Sequence, residues 1–144
     1  MVDLLGMVGT VAERVLDALR LRRRVRVRTR LGFLPTAQAH RLLVLTEVTN
    51  VGQRRVVVNS WGFNLNRRPH AMLPAGSTRP LPPTLEDGDQ VVTWVRSDVF
   101  ARQLQAYGYR GAVKVQAWVT DTSGTTHRGD TIKLDLDDAI RTND

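Results

Sequence analysis

Hydrophobic positions change period after residue 23, which separates a helical segment from a strand-rich remainder. Over residues 3–20, Leu4, Val8, Val11, Ala12, Val15 and Leu19 recur at three- and four-residue spacing, the stripe of an amphipathic helix. Asp3, Thr10, Glu13, Arg14, Asp17 and Arg20 take the opposite face. Asp3 near the start and arginine near the end suit the helix dipole. Gly6 and Gly9 each weaken the helix by about 1 kcal/mol relative to Ala, so it needs packing to persist. Three surfaces are open to it: its own domain, a partner subunit meeting Leu4, Val8, Val11, Val15 and Leu19, or a membrane.

From Arg24 the period becomes two. Val25, Val27 and Thr29 alternate with Arg24, Arg26, Arg28 and Arg30, which predicts a strand with arginines on one face and Leu31 and Phe33 continuing the inward set. Residues 41–50 alternate again, with Leu42, Val44, Thr46 and Val48 opposite Leu43, Leu45 and Glu47. The Asn50–Gln53 stretch has turn chemistry, and residues 54–65 follow as a strand showing Val57, Asn59, Trp61, Phe63 and Leu65 on one face. These two strands are expected to form a hairpin. Gly62, between two aromatics, predicts a bulge or a close backbone approach.

Pro69, Pro74, Pro80, Pro82 and Pro83 make residues 66–84 a surface loop with a short edge strand near 71–73. Residues 85–89 turn into a strand over 90–96. Ser97 is expected to cap a short helix over 98–107, with Gly108 at its end and Phe100, Leu104 and Tyr107 toward the core. Strands are predicted over 111–120 and from about 125 to 136, the first with Val113, Val115, Ala117 and Val119 opposite Lys114, Gln116 and Trp118. The second turns Ile132, Leu134 and Leu136 inward.

Six or seven short antiparallel strands with one crossover helix predict an all-β fold, an immunoglobulin-like β-sandwich preceded by an amphipathic helix. The expected division is 1–23, N-terminal helix and basic junction, and 24–144, the sandwich.

Charge sharpens this picture. The chain of 144 residues has a net charge of +7, and seven arginines (Arg20, Arg22, Arg23, Arg24, Arg26, Arg28, Arg30) lie within eleven residues that contain no acid. The whole excess is therefore local, which directs any acidic partner to one segment. Neighbouring arginines on the strand face are roughly 6.6 Å apart and repel by about 0.6 kcal/mol in water, which a solvated face tolerates. Solvent, an acidic protein surface, and the phosphate of nucleic acid or lipid are the environments open to them. Basic residues number nineteen Arg and two Lys, a bias that a GC-rich genome also produces. With 42% hydrophobic residues the composition is that of a globular protein, and the lack of cysteine removes disulfides and thiolate metal sites. No basic region precedes the N-terminal apolar residues, so they do not read as a signal peptide. Asp3, Glu13, Arg14 and Asp17 break any run approaching the ~18 apolar residues of a membrane span.

The segments 45–52 (LTEVTNVG), 81–89 (LPPTLEDGD) and 119–124 (VTDTSG) resemble those of a widespread group of bacterial and phage proteins with an N-terminal apolar helix, a basic first strand and one immunoglobulin-like domain. The resemblance covers most of the chain. It implies the same layout but carries no activity or functional residues across. Members with a membrane-spanning first helix differ from this chain, whose first helix is charged.

Chemistry-bearing motifs are sparse. His40, His70 and His127 are not at ligand spacing, and no zinc-helix motif, phosphate loop or nucleophile elbow occurs. Asp87 and Asp89, or Asp135, Asp137 and Asp138, lack the glycine and terminal glutamate of a calcium loop. Asp135 and Asp137 read as the polar face of the last strand, placed to pair with the arginine strand if the two are neighbours. Of the tryptophans, Trp94 is expected in the core, and either Trp61 or Trp118 as an exposed anchor. No cofactor, metal, catalytic residue or small-molecule substrate is expected.

The sequence thus points to a non-enzymatic structural or interaction module of a homo- or hetero-oligomeric assembly, with a phage virion component (capsid, connector or tail accessory) as its setting. A peripheral membrane-surface protein and a nucleic-acid phosphate binder are the alternatives, so the expected location is the virion or cytoplasm, or a membrane surface.

Overall fold

The computed structural model describes residues 24–34 and 41–143; the helix expected over 3–20 and Arg20, Arg22, Arg23 and His40 lie outside them. In chain order the described elements are β1 (Val25–Gly32), β2 (Leu43–Asn50), β3 (Val56–Leu65), β4 (Arg68–Ala71), β5 (Gly76–Ser77), β6 (Thr84–Leu85), β7 (Gln90–Arg96), α1 (Ser97–Ala106), β8 (Ala112–Asp121), β9 (Thr126–Asp135) and α2 (Leu136–Thr142). They form two antiparallel sheets, one ordered β1-β2-β7-β5 and the other β4-β3-β8-β9 with β6 on β3. The class is all-β.

One core lies between the sheets because each strand's period-two pattern turns its apolar set the same way. Val27, Val44, Val48, Val91 and Val95 from the first sheet meet Val58, Trp61, Phe63, Leu65, Val113, Val115, Ala117 and Val119 from the second. Helix α1 closes one end with Phe100, Ala101 and Leu104, and Phe100 packs on Phe63 with ring centroids 5.0 Å apart. A tilted pair of this kind contributes about 1 kcal/mol beyond its burial.

Several sequence expectations are corrected. β2 and β3 are not a hairpin, since they belong to different sheets. Asn50, fully buried, turns the chain across: its Nδ2 donates to the Arg54 and Leu85 carbonyls, and its Oδ1 accepts from Gly52 N–H. A bulge between Val58 and Ser60 shifts the parity of β3, so Val56 and Val58 share the core face with Trp61, Phe63 and Leu65. Leu31 and Phe33 are 39% and 59% exposed rather than inward; Leu31 is still paired within β1, opposite Val44, and Phe33 lies beyond the strand's end at Gly32. Trp94 lies in register with Leu45 on the outer face, since Val91, Thr93 and Val95 hold the inner one. Ser97 is not a cap: Arg96 is the N-cap residue, without a side-chain cap bond, and Ser97 Oγ accepts from Asn143. Gly108 follows α1 at φ 99°, the left-handed conformation expected of it, while Tyr107 faces outward.

The edge strand comes earlier than expected. Asn66 and Arg67 both have positive φ, 48° and 71°, and fold β4 directly back on β3. Two such residues make the tight turn that matches strand twist. Pro69 is tolerated because β4 is an edge. Beyond β9 the chain forms α2, where Asp135 caps by accepting from Asp138 N–H; Asp137 and Asp138 therefore sit on a helix rather than a strand.

β1 lies against β9 as well as β2, so the two sheets approach along this side. Thr29 N–H donates to Asp130 Oδ1 and Thr29 Oγ1 donates to the Asp130 carbonyl, both at 2.7 Å. The β8–β9 register slips between Gln116 and Trp118, and Ala117 N–H donates to Thr29 Oγ1 at 2.9 Å. A threonine of one sheet thereby satisfies a donor of the other at its irregularity. Gly129 makes this approach possible, because a Cβ there would lie 3.0 Å from the Val27 carbonyl oxygen and 3.1 Å from Thr29 Oγ1.

Candidate functional site

The arginine face is built from strand alternation. With Val27 and Thr29 held inside, Arg24, Arg26, Arg28 and Arg30 are exposed on the outer face. Register sets Arg26 opposite Thr49, Arg28 opposite Glu47 and Arg30 opposite Leu45. Arg30 Nη1 pairs with Glu47 Oε1 at 2.8 Å. An exposed pair of this kind contributes about 0.2–1 kcal/mol. Among the described residues no ion pair is made by Arg24, Arg26 or Arg28. The pairing open to Asp135 and Asp137 if the last strand neighboured the arginine strand is not what β9 provides: its acid at this edge is Asp130, spent on a backbone N–H of β1. The binding residues Arg20, Arg22 and Arg23, and the helix residues Leu4, Val8, Val11, Val15 and Leu19, lie outside the described residues.

The opposite outer face carries a feature that strand-by-strand reading missed. Asn64, Arg67, Lys114, Gln116, Thr131, Ile132 and Lys133 line a hollow of about 400 Å³. A second one of about 190 Å³ is lined by Asn64, Pro69, Trp118, Thr126 and Arg128, so Asn64 joins them. Asn64 Nδ2 donates to Gln116 Oε1 at 3.0 Å, and Gln116 Nε2 donates to the Gly129 carbonyl at 2.8 Å. Lys114 and Lys133 are direct cross-strand partners. The signal was present in the sequence as the only two lysines, but their meeting depends on β8–β9 register.

Of Trp61 and Trp118, Trp118 is the partly exposed one and Trp61 is buried. The Trp118 ring lies across Gly62, where a Cβ would fall 2.1 Å from Cζ2 and 2.3 Å from the His70 carbonyl oxygen. Gly62 thus serves close approach; the bulge is further up the strand. Trp94 covers Gly76 in the same manner on the first sheet.

A third hollow, about 380 Å³, is lined by Arg68, His70, Tyr107, Gly108 and Tyr109. The His70 ring stacks on Tyr107 at 5.8 Å, and its Nε2 lies 3.0 Å from Tyr109 Oη.

Two buried carboxylates serve the fold. Burial alone would raise the pKa of Asp98, but side-chain bonds from Arg96 and Asn143, the Val99 N–H and the Arg96 charge outweigh it and hold the group below the ordinary aspartate value. Asp121 is likewise buried yet held low by His127, by the Ser123 side chain and N–H, and by Thr125 N–H. His127 Nε2 donates to Asp121 Oδ2 at 2.9 Å. Ser123 Oγ also donates to Asp121, not to the imidazole, so the three groups close the β8–β9 turn rather than forming a relay through histidine. Among the described residues no group of three or more His, Asp or Glu could hold a metal ion, and no helix is long and apolar enough to cross a membrane.

No family model matches the chain, and no curated protein does. Among solved structures it is similar to the X-ray structure of Northeast Structural Genomics Consortium target SoR45, with 14% identity over 78% of this chain and 85% of that one and a TM-score of 0.32. A likeness at that level carries no functional argument.

Proposed function

We propose that the protein is a non-enzymatic structural or interaction module, an immunoglobulin-like β-sandwich that docks into a larger assembly through its arginine strand and the helix expected before it. The finer fold reading is supported by strand order. One sheet follows the pattern A-B-E-D and the other C′-C-F-G when β1, β2, β3, β4, β5, β7, β8 and β9 are lettered A, B, C, C′, D, E, F and G. A helix between E and F replaces the usual loop.

The observation that carries the docking reading is the outward row Arg24, Arg26, Arg28 on a strand anchored from behind by Thr29. Arginine planes suit bidentate contact with carboxylates, and a rigid strand presents them at fixed spacing. The partner is an acidic face of a protein subunit, and a phage virion component is the setting. The row contains no aromatic before Phe33, which weighs against a base-stacking surface. The test is assembly in the native source: Arg24→Gln/Arg26→Gln/Arg28→Gln should melt like the wild type yet fail to enter the assembly. Normal incorporation of that variant excludes the arginine row as the docking element.

A further inference from the structure

The geometry points to a second binding site, on the outer face of the β3–β8–β9 sheet, for an acidic oligosaccharide whose carboxylates lie between Lys114 and Lys133.

An unfavourable pairing lies at the centre of this face. Lys114 and Lys133 stand directly opposite each other on β8 and β9 and share the same hollow. Directly opposed side chains on neighbouring strands are about 5 Å apart at Cβ, and like charges there destabilise the sheet. Arg67 adds a third cation to that hollow, and Arg128 one to the adjoining hollow, while no acid lines either. The next acid on this face, Asp135, is turned to cap α2. Neither lysine has an ion-pair partner among the described residues. An anion seated between them converts the repulsion into two charge-assisted bonds.

The remaining lining defines what carries the anion. Asn64, Gln116 and Thr131 offer amide and hydroxyl groups along the floor, suited to the hydroxyls of a sugar ring. Trp118, laid flat by its seat on Gly62, and Pro69 line the adjoining hollow as an apolar platform for a ring's C–H face. Two hollows sharing Asn64 fit neighbouring rings of one chain, and the hollow between the lysines, at about 400 Å³, has the volume of a ligand site, with the smaller one of about 190 Å³ beside it. A single aromatic among the lining residues argues against single-stranded nucleic acid, which needs a succession of stacking partners. Asn66 positions the first lysine, its N–H donating to the Lys114 carbonyl and its Oδ1 accepting from Lys114 N–H.

Calorimetric titration of the full chain with a galacturonate hexamer tests the site, with a glucose hexamer and a thymidylate hexamer as controls. The galacturonate hexamer should bind, and Lys133→Gln or Lys114→Gln should each weaken it about tenfold. Arg26→Gln/Arg28→Gln should leave it unchanged. Lys133→Glu should bind least and yet melt above the wild type, because it replaces repulsion with attraction; a purely structural role for Lys133 would not produce that combination. Trp118→Phe keeps a ring over Gly62 and should weaken binding without loss of fold. Absence of galacturonate binding, binding indifferent to the lysine variants, equal binding of the glucose hexamer, or tighter binding of the thymidylate hexamer would each overturn the assignment.

Discussion

Thr29 on the arginine strand donates two hydrogen bonds to Asp130 on β9, and both are 2.7 Å long. With the Ala117 N–H as a third partner, the Thr29 hydroxyl joins the two sheets at the β8–β9 irregularity. Together with the buried Val27, this side chain holds one face of β1 inward, which leaves the arginines outside.

Replacing Thr29 by Val preserves shape but orphans the Ala117 N–H and the Asp130 carbonyl, a loss of about 1–3 kcal/mol. Thr29→Ser keeps the hydroxyl and should cost under about 1 kcal/mol. Urea unfolding of the two variants checks the difference; equal stabilities would mean that the hydroxyl does not join the sheets.

The two tryptophan–glycine pairs should respond unequally to an added methyl group. At Gly62 the new Cβ meets both Trp118 and the His70 backbone carbonyl, whereas the three nearest atoms at Gly76 all belong to the Trp94 ring. A ring can swing aside and a strand backbone cannot. Gly62→Ala should therefore cost about 3 kcal/mol, and Gly76→Ala about 1 kcal/mol with a shift in tryptophan fluorescence. Thermal melts and emission spectra compare them, and a milder Gly62 variant would refute the packing described.

Much of the fold was legible in the sequence because half-buried strands alternate. β1, β2, β7 and β8, and the shared helix α1, fall within a residue or two of their expected bounds. What was lost has a physical cause at each place. Pairing between β2 and β3 was misjudged because Asn50–Gln53 has hairpin-like residues, while the Asn50 side chain uses its bonds to send the chain to the other sheet. Arg67 at positive φ disguised the β3–β4 turn, since arginine carries no local signal for that conformation. The exposed arginines could be read directly from the alternation at Arg24 to Arg30. The Lys114–Lys133 hollow could not, because no segment contains it.

Asn143 was likewise invisible, and it acts as a substitute strand residue. Its Oδ1 accepts from Leu42 N–H at 2.9 Å, and its Nδ2 donates to the Leu42 carbonyl, Ser97 Oγ and Asp98 Oδ1. Arg41 Nη1 also donates to its carbonyl oxygen. Asn143→Ala should cost about 2–3 kcal/mol by stranding buried partners. Asn143→Asp should cost more, since it sets a second carboxylate beside Asp98. Denaturant midpoints test the order of the two.

Acid sensitivity follows from Asp98 and Asp121. Both have folded-state pKa values below the unfolded one, so the unfolded chain binds protons first as pH falls. Their stabilisation is complete well above the unfolded aspartate value of about 4 and is lost as pH drops through the folded values. Asp121→Asn and Asp98→Asn should each reduce stability at pH 7 and flatten the slope of stability against pH below about 4. Unchanged slopes would show that neither carboxylate is held ionised by its neighbours.

Arginine footprinting with phenylglyoxal and mass spectrometry tests the docking reading most directly. The isolated chain should be modified at Arg24, Arg26 and Arg28, and the assembled form recovered from its native source should be protected at these three positions, with Arg102 and Arg110 unchanged. Equal reactivity of the three in both forms, or recovery of the chain only as a free monomer, would contradict it.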